Sequence, residues 1–205
     1  MPLISIDMLD ARTDTRLASW RITETAADFL DSLHIVGVDR DRFLGMYKSE
    51  TRRREVLAVR LLLSSLFGVD VALYHDADGR PLLDNGFNIS ISHTKDFAVV
   101  LVSRSRCVSV DTEYLNPRVL RITDKFLRAD EKAENLLETM LHWCAKETIY
   151  KYYPDDHLAF ADMRIKAVNG DIHEGIISAE NMTRSDEVSI NYKVEGEIVV
   201  TYMLS

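Results

Sequence analysis

Two acidic residues near the end of a predicted strand are the first candidates for chemistry. Residues 106–113 read R-C-V-S-V-D-T-E, and apolar and polar positions alternate as they do in a β-strand. Asp111 and Glu113 therefore lie on one face, where both carboxylates can reach a single hard cation such as Mg2+. The alternative is a strand end whose acidic side chains simply face solvent, and a D-x-E pattern alone does not decide between the two.

A second group of charged residues lies further along, in a predicted helix. Residues 143–151 read W-C-A-K-E-T-I-Y-K, which places Trp143, Glu147 and Lys151 on one side of a helix at i, i+4 and i+8. A third carboxylate and an ammonium group are thus available to meet the acidic pair of the strand. These residue types favour a site in which magnesium holds a phosphate group. The alternative is an exposed helical face with an ordinary Glu147–Lys151 ion pair.

Two further segments carry groups that bind phosphate in other proteins. His93 lies in S-I-S-H-T, residues 90–94, where hydroxyl groups flank it at the end of a predicted strand. Such a histidine binds phosphate or caps a turn. The cluster Arg52–Arg54 lies in a predicted helix and forms either an anion site or a solvated face. The residue types alone leave both pairs of alternatives open.

Length, charge and composition limit the classes of function. The chain has 205 residues, enough for one domain or two small lobes. Its formal charge of −8 disfavours nucleic acid as a partner. No apolar run approaches the ~20 residues that cross a bilayer, so no membrane partner is expected. Cys107 and Cys144 form no C-x-x-C pair and the amino terminus lacks a secretory pattern, so we expect reduced thiols and a cytoplasmic location.

The order of predicted elements indicates an α+β protein of two lobes. Predicted strands cover 3–8, 71–75, 87–92, 97–102, 106–113, 163–168, 172–178, 188–194 and 197–204. Predicted helices comprise a short one capped by Thr23, one over 41–67 ended by Gly68, and residues 120–153, stopped by Pro154. The seam between the lobes is expected at 104–118.

Turn chemistry adds three local predictions. D-A-D-G-R-P at 76–81 predicts a turn. The three runs between 87 and 113 suggest an antiparallel meander. Asn169-Gly170 between alternating runs predicts a hairpin turn.

Five blocks, taken together and in order, resemble the 4′-phosphopantetheinyl transferases of the Sfp type. The blocks are G-R-P at 79–81, S-I-S-H-T at 90–94, V-S-V-D-T-E at 108–113, F-L-R-A-D-E at 126–131 and W-C-A-K-E-T-I-Y-K at 143–151. They cover a little over a third of the chain. Agreement of five blocks in one order is specific, although each block by itself is not.

The resemblance implies a fold and an activity. The fold would be two similar α+β lobes with the active site in the cleft between them. The N-terminal lobe, 1–106, would contact the nucleotide of coenzyme A, and the C-terminal lobe, 107–205, would hold the metal and catalytic residues. The enzyme would move the 4′-phosphopantetheine arm of coenzyme A to a serine of an apo acyl or peptidyl carrier protein and release adenosine 3′,5′-bisphosphate. Magnesium is the implied cofactor, and a monomer is expected.

The resemblance also implies roles for individual residues. Asp111, Glu113 and Glu147 would bind the metal, while Asp111, Glu147 and Lys151 would be catalytic, with Glu147 as the base directly or through a metal-bound water. The implied coenzyme A contacts are Arg53, Gly79, Arg80, Pro81, Ser92, His93, Thr94, Asp111, Lys146, Glu147 and Lys151. Arg53 rests on a loose alignment, and the alternatives to it are Lys48, Arg52 and Arg54. Glu131 matches a glutamate that precedes the second helix of the family.

Two departures and three rival functions stay open. Ser109 stands where the family has glycine, which matters if the backbone there needs torsional freedom. Arg80 replaces the usual lysine and would bind the 3′-phosphate with two parallel bonds. The rivals are a coenzyme A-binding protein without turnover, a magnesium-dependent phosphohydrolase and a structural domain. A basic surface in 115–140 is predicted to dock the acidic carrier, with Arg118, Arg121 and Lys125 as candidates.

Overall fold

The chain folds into two compact units, Met1–Arg106 (unit 1) and Cys107–Ser205 (unit 2). The computed structural model describes residues 3–32, 40–68 and 71–204. Each unit has its own sheet and its own buried apolar cluster. The division falls within the predicted seam at 104–118, and the predicted α+β class is confirmed.

Unit 1 is a four-stranded antiparallel sheet with helices. Its elements are β1 (Leu3–Asp10), β2 (Thr15–Arg21), α1 (Ala26–Ser32), α2 (Arg40–Met46), α3 (Glu50–Phe67), β3 (Leu73–His75), β4 (Pro81–Leu83), β5 (Asn88–Thr94) and β6 (Phe97–Ser103). The sheet order is β1-β2-β6-β5, and β3 pairs separately with β4. Helix α3 packs on the sheet because Leu57 and Leu62 share a buried cluster with Trp20 and Val100. This packing places the polar side of α3 near the end of β5.

The helices of unit 1 differ from the prediction in two places. The predicted helix over 41–67 is two helices, because Ser49 caps the start of α3 by accepting a hydrogen bond from the backbone N–H of Arg52. Thr25, and not Thr23, caps α1: its Oγ1 accepts from Asp28 N, and the Asp28 carboxylate accepts in turn from Thr25 N. Gly68 ends α3 in the left-handed conformation, as predicted.

Unit 2 is a five-stranded antiparallel sheet with one long helix against it. Its elements are β7 (Val108–Tyr114), a 3-10 turn (Pro117–Arg121), α4 (Thr123–Phe126), α5 (Leu136–Tyr152), further 3-10 turns (Pro154–Asp156 and Phe160–Asp162), β8 (Met163–Gly170), β9 (Glu174–Asn181), β10 (Asp186–Glu195) and β11 (Ile198–Leu204). The sheet order is β7-β11-β10-β9-β8. Helix α5 ends before Pro154, as predicted.

One sheet prediction for unit 2 is wrong, and a second, the hairpin at Asn169-Gly170, is confirmed as a pairing of β8 with β9 but not in the position of its turn. The third run of the predicted meander, β7, pairs with β11 and not with β6; Asp111 lies opposite Thr201. Asn169 and Gly170 belong to β8, and the chain turns at 171–173. A Cβ atom on Gly170 would come within 2.3 Å of the Glu174 carbonyl oxygen, 2.6 Å of the Gly175 Cα and 2.7 Å of the Tyr192 hydroxyl oxygen. The glycine therefore serves close packing rather than a two-residue turn.

Among residues 3–32, 40–68 and 71–204, no helix has both the length and the apolar character that spanning a membrane requires.

Candidate active site

Asp111 on β7 and Lys151 on α5 form an ion pair inside unit 2. The Lys151 Nζ donates to Asp111 Oδ1 at 2.7 Å and to the Val110 carbonyl oxygen at 3.1 Å. The Asp111 side chain is 8% exposed and that of Lys151 is 30% exposed. The fold thus brings together the strand carboxylate and the helix ammonium that the sequence singles out, because α5 packs directly against β7 and β11.

Glu147 lies one helical turn before Lys151, and burial together with the charges of Asp111 and Glu113 affects the pKa of its carboxyl group. Burial raises the pKa of its carboxyl, the charges of Asp111 and then Glu113 raise it further, and Lys151 offsets part of this effect. Burial, with the charges of Asp111 and Glu113, also raises the pKa of the Cys144 thiol well above its usual range. Both groups on α5 therefore experience the charges of the two carboxylates of β7.

This acidic cluster has the donor chemistry that magnesium prefers. Three carboxylates supply hard oxygen ligands, and the raised pKa of Glu147 reflects an excess of negative charge that a divalent cation would offset. Within the described residues, no three His, Cys, Asp or Glu side chains are arranged to hold a metal ion. Since Lys151 contacts Asp111, a cation would compete with the ammonium, and side chains would reorient on binding. The ligand types and the charge are those that Mg2+ prefers, but the described side chains are not arranged as a metal site in this structure.

Ser109 does not need the freedom of glycine. It lies in the regular ladder of β7 opposite Met203, and its backbone is not in the left-handed region. Its side chain is fully buried. A small residue fits this place, which removes the torsional objection to serine.

Lys146 is buried, and its ammonium group contacts other residues of unit 2. Its Nζ donates to Glu131 Oε2 at 2.7 Å, to the Phe126 carbonyl oxygen at 2.7 Å and to the Phe160 carbonyl oxygen at 3.3 Å. An ammonium group has three donors, and these contacts use all three. Burial lowers its pKa, and the bond to Glu131 opposes that shift. The geometry therefore does not support the predicted contact between Lys146 and coenzyme A.

Unit 1 brings His93 of β5 against the first turns of α3. Arg52 Nη1 lies 2.6 Å from His93 Nε2 and 3.2 Å from Glu55 Oε2. An arginine only donates, so Nε2 accepts, and the ring proton resides on Nδ1, which lies 3.4 Å from Glu55 Oε2. His93 is 33% and Arg52 46% exposed, so both reach solvent. This pair is the candidate phosphate contact of unit 1.

The neighbouring arginines point elsewhere. Arg53 donates to the carbonyl oxygens of Tyr47 and Leu44, at 2.7 and 2.8 Å, and so closes the end of α2. Arg54 donates to backbone carbonyls of the segment before α1 and pairs with Asp96 at 2.9 Å. Successive helical residues point about 100° apart, so only one of the three arginines can face β5. The choice of Arg53 as a phosphate contact is not supported, and Arg52 takes its place.

The remaining predicted coenzyme A contacts lie on β5 and in the turn before β4. Strand alternation places Ser92 and Thr94 on the face opposite His93, and Ser92 is buried. Gly79 has a φ of 84°, which favours glycine. Arg80 is half-buried, and its backbone N–H donates to Asp76 Oδ1 at 2.9 Å, while Pro81 begins β4. The predicted turn is confirmed.

Glu55, which contacts both Arg52 and His93, is a residue of this site that the sequence interpretation missed. Its spacing of three residues from Arg52 was the available signal, since such residues are neighbours on a helix.

No family model matches the chain, and the search of curated proteins gives no match either.

Proposed function

We propose that this protein transfers the 4′-phosphopantetheine arm of coenzyme A to a serine of an apo acyl or peptidyl carrier protein, with magnesium as cofactor. The observation that supports this most strongly is the junction of β7 and α5. There the Lys151 ammonium pairs with Asp111 while Asp111 and Glu113 act on Glu147. The order of the five sequence blocks points to the same chemistry.

The reaction makes a bond between the serine oxygen and the β-phosphorus of coenzyme A and breaks the bond to the bridging oxygen, which leaves with the nucleotide. Such transfers depend on positioning and charge more than on covalent participation by the protein. Magnesium held by Asp111, Glu113 and Glu147 would offset the negative charge of the diphosphate. Lys151, already at the junction, offsets negative charge on the departing nucleotide.

Glu147 is the proposed base for the serine hydroxyl. In the metal-free protein its pKa is raised, which makes its carboxylate a stronger proton acceptor than an ordinary glutamate, and a bound cation would reduce this effect. It is half-buried rather than enclosed, so an incoming hydroxyl has access to it. The proton passes from the serine oxygen to Glu147 as the bond to phosphorus forms.

Arg52 and His93 are the proposed phosphate contacts of unit 1. Both are partly exposed, and the arginine is always charged. Arg80, in the turn before β4, is proposed to assist at the 3′-phosphate.

The acceptor is proposed to dock on the segment after β7. Leu120 is 49% exposed, and Arg118, Arg121 and Lys125 around it in sequence are exposed too. An apolar side chain among cations suits an acidic carrier, although the whole chain has a formal charge of −8. Recognition then depends on this local surface rather than on net charge.

A mass-shift assay tests the proposal. The protein is incubated with coenzyme A, magnesium and a panel of apo carriers, and each carrier is weighed intact. The expected result is a gain of one phosphopantetheine group on a single serine. Release of nucleotide without a carrier would instead identify a phosphohydrolase, and coenzyme A binding with neither product would identify a binding protein.

A further inference from the structure

Lys146 and Glu131 form an enclosed ion pair next to the candidate base. The Nζ–Oε2 distance is 2.7 Å, and both side chains are 0% exposed. Lys146 immediately precedes Glu147 on α5, so whatever orients one residue also fixes the direction of the next. The proposed chemistry assigns neither member of the pair a contact with substrate.

The pair connects several segments of unit 2 to one point on α5. Lys146 donates to the carbonyl oxygen of Phe126, which ends α4, and to that of Phe160 in a 3-10 turn. Glu131 Oε1 accepts from the backbone N–H of Ile165 on β8 at 2.6 Å. The backbone N–H of Arg128 donates to the second oxygen of Glu131. Each of these contacts is a directed hydrogen bond.

Other residues of α5 hold the helix against the sheet. Thr148 Oγ1 lies 2.6 Å from Thr201 Oγ1 on β11, and Lys151 pairs with Asp111 on β7. Apolar packing is not directional, so by itself it tolerates small rotations and shifts of a helix. Hydrogen bonds weaken steeply when their angles change. The bonds of Lys146 therefore restrict rotation of α5 in a way that its apolar contacts do not.

We propose that the Lys146–Glu131 pair is a positioning device that sets the rotation of α5 about its axis. It thereby keeps Glu147 and Lys151 in register with Asp111. The purpose of that register rests on the proposed function. The attraction between the two charges does not by itself account for the pair, since apolar side chains of similar volume are often at least as stabilising as a buried ion pair. Directed contacts that favour one arrangement of the helix do account for it.

The first test replaces both members together, Lys146→Met with Glu131→Leu, so that no buried charge is left alone. We expect a folded protein with a lower melting temperature, because the backbone groups of Phe126, Phe160, Arg128 and Ile165 lose their hydrogen-bond partners. The readout is the Nζ resonance of Lys151 in metal-free protein labelled with 15N-lysine, assigned with Lys151→Gln. The Asp111 contact should protect this signal in the parent, and the double variant should lose it to solvent exchange. A folded double variant with an unchanged signal would overturn the inference.

Manganese binding by calorimetry separates the inference from the proposed function. The double variant should bind Mn2+ about 10–100-fold more weakly, as for other residues that orient metal ligands. Ile177→Val, a core change on β9, should bind like the parent. Absence of Mn2+ binding by the parent would refute the metal site, while the Lys151 resonance would still decide the inference. Glu131→Gln keeps the size of the side chain and one acceptor oxygen, so it replaces the double variant in this test if the double variant does not fold. An unchanged Lys151 resonance in Glu131→Gln would then overturn the proposal.

Discussion

The ammonium of Lys151 lies 2.7 Å from Oδ1 of Asp111, so helix α5 meets strand β7 through opposite charges at the centre of the candidate site. Asp111 is almost enclosed, and Lys151 still reaches solvent. A carboxylate that is buried beside a partly exposed ammonium can exchange its partner for a cation without a change of fold. The first two predictions concern this junction.

Replacing Asp111 by Ala should lower turnover by two or more decades, about 3 kcal/mol, as for the loss of one preorganised electrostatic group. The reason is that the change removes a proposed metal ligand and releases Lys151. Steady-state transfer to an apo carrier measures it. Asp186→Ala, an exposed acidic residue on β10 outside the docking segment, is the matched control and should keep normal turnover. Near-normal activity of the Asp111 variant would refute the site.

Replacing Glu147 by Gln should stabilise the metal-free protein, and the gain should depend on pH. The pKa of Glu147 is raised by folding, so the unfolded chain loses this proton first as the pH increases. Stability is therefore lost between the ordinary pKa and the raised one, and it stays lower at higher pH. The Glu147→Gln variant should melt at a higher temperature than the parent above this pH window and at the same temperature below it.

Magnesium should reverse the sign of that difference. A cation favours the ionised carboxylate, so excess Mg2+ should raise the melting temperature of the parent more than that of Glu147→Gln. The measurement is thermal unfolding across pH with and without the ion. Parallel curves for parent and variant under all conditions would contradict both the raised pKa and the metal role of Glu147.

Replacing Arg52 by Ala should reduce the preference for coenzyme A over dephospho-coenzyme A. Arg52 faces His93 and solvent, whereas the guanidinium of Arg53 binds backbone carbonyls at the end of α2. Arg53→Ala should therefore lower the melting temperature and leave the preference unchanged. The ratio of kcat/KM for the two substrates measures the effect. Equal use of both substrates by the parent would show that no 3′-phosphate site exists.

The sequence predicted the elements of the site better than the direction of its side chains. Alternation in β7 and the i, i+4 spacing in α5 predicted which face of each element carries Asp111, Glu147 and Lys151, because both periods are geometric properties of the backbone. That the two faces meet was implied only by the resemblance of the five blocks. The sequence did not show which of Arg52, Arg53 and Arg54 faces β5, since the direction of each side chain depends on what α3 packs against. For the same reason Lys146, beside Glu147 in the sequence, was not recognised as enclosed by residues 126–131 and 160.

The sequence also did not predict which strands pair when they are far apart along the chain. The run 106–113 reads as a continuation of the preceding hairpin, but it pairs with β11, the last strand of the chain. The sequence of one strand does not show which other strand it pairs with, since the hydrogen-bonding groups of the backbone are the same in nearly every residue. Likewise, Asn169-Gly170 has the composition of a tight turn, but glycine is needed there because the facing backbone of Glu174 and Gly175, together with the Tyr192 side chain, leaves no room for a Cβ atom.

Reversing charges on the segment after β7 should weaken acceptor binding specifically. A triple change of Arg118, Arg121 and Lys125 to Glu places acidic side chains around the exposed Leu120, where an acidic carrier would be repelled. The expected result is a KM for the carrier raised tenfold or more, on the order of 1.4 kcal/mol or more, with kcat and the KM for coenzyme A little changed.

Salt provides the control for this prediction. Screening shortens electrostatic interactions to about 8–10 Å at physiological ionic strength, so added salt should raise the KM of the parent and lower that of the triple variant. Lys166→Glu, on β8, changes an exposed cation of the same unit outside the segment and should leave the KM for the carrier unchanged. If the triple variant binds the carrier like the parent, the docking surface lies elsewhere, and the metal and base assignments are unaffected.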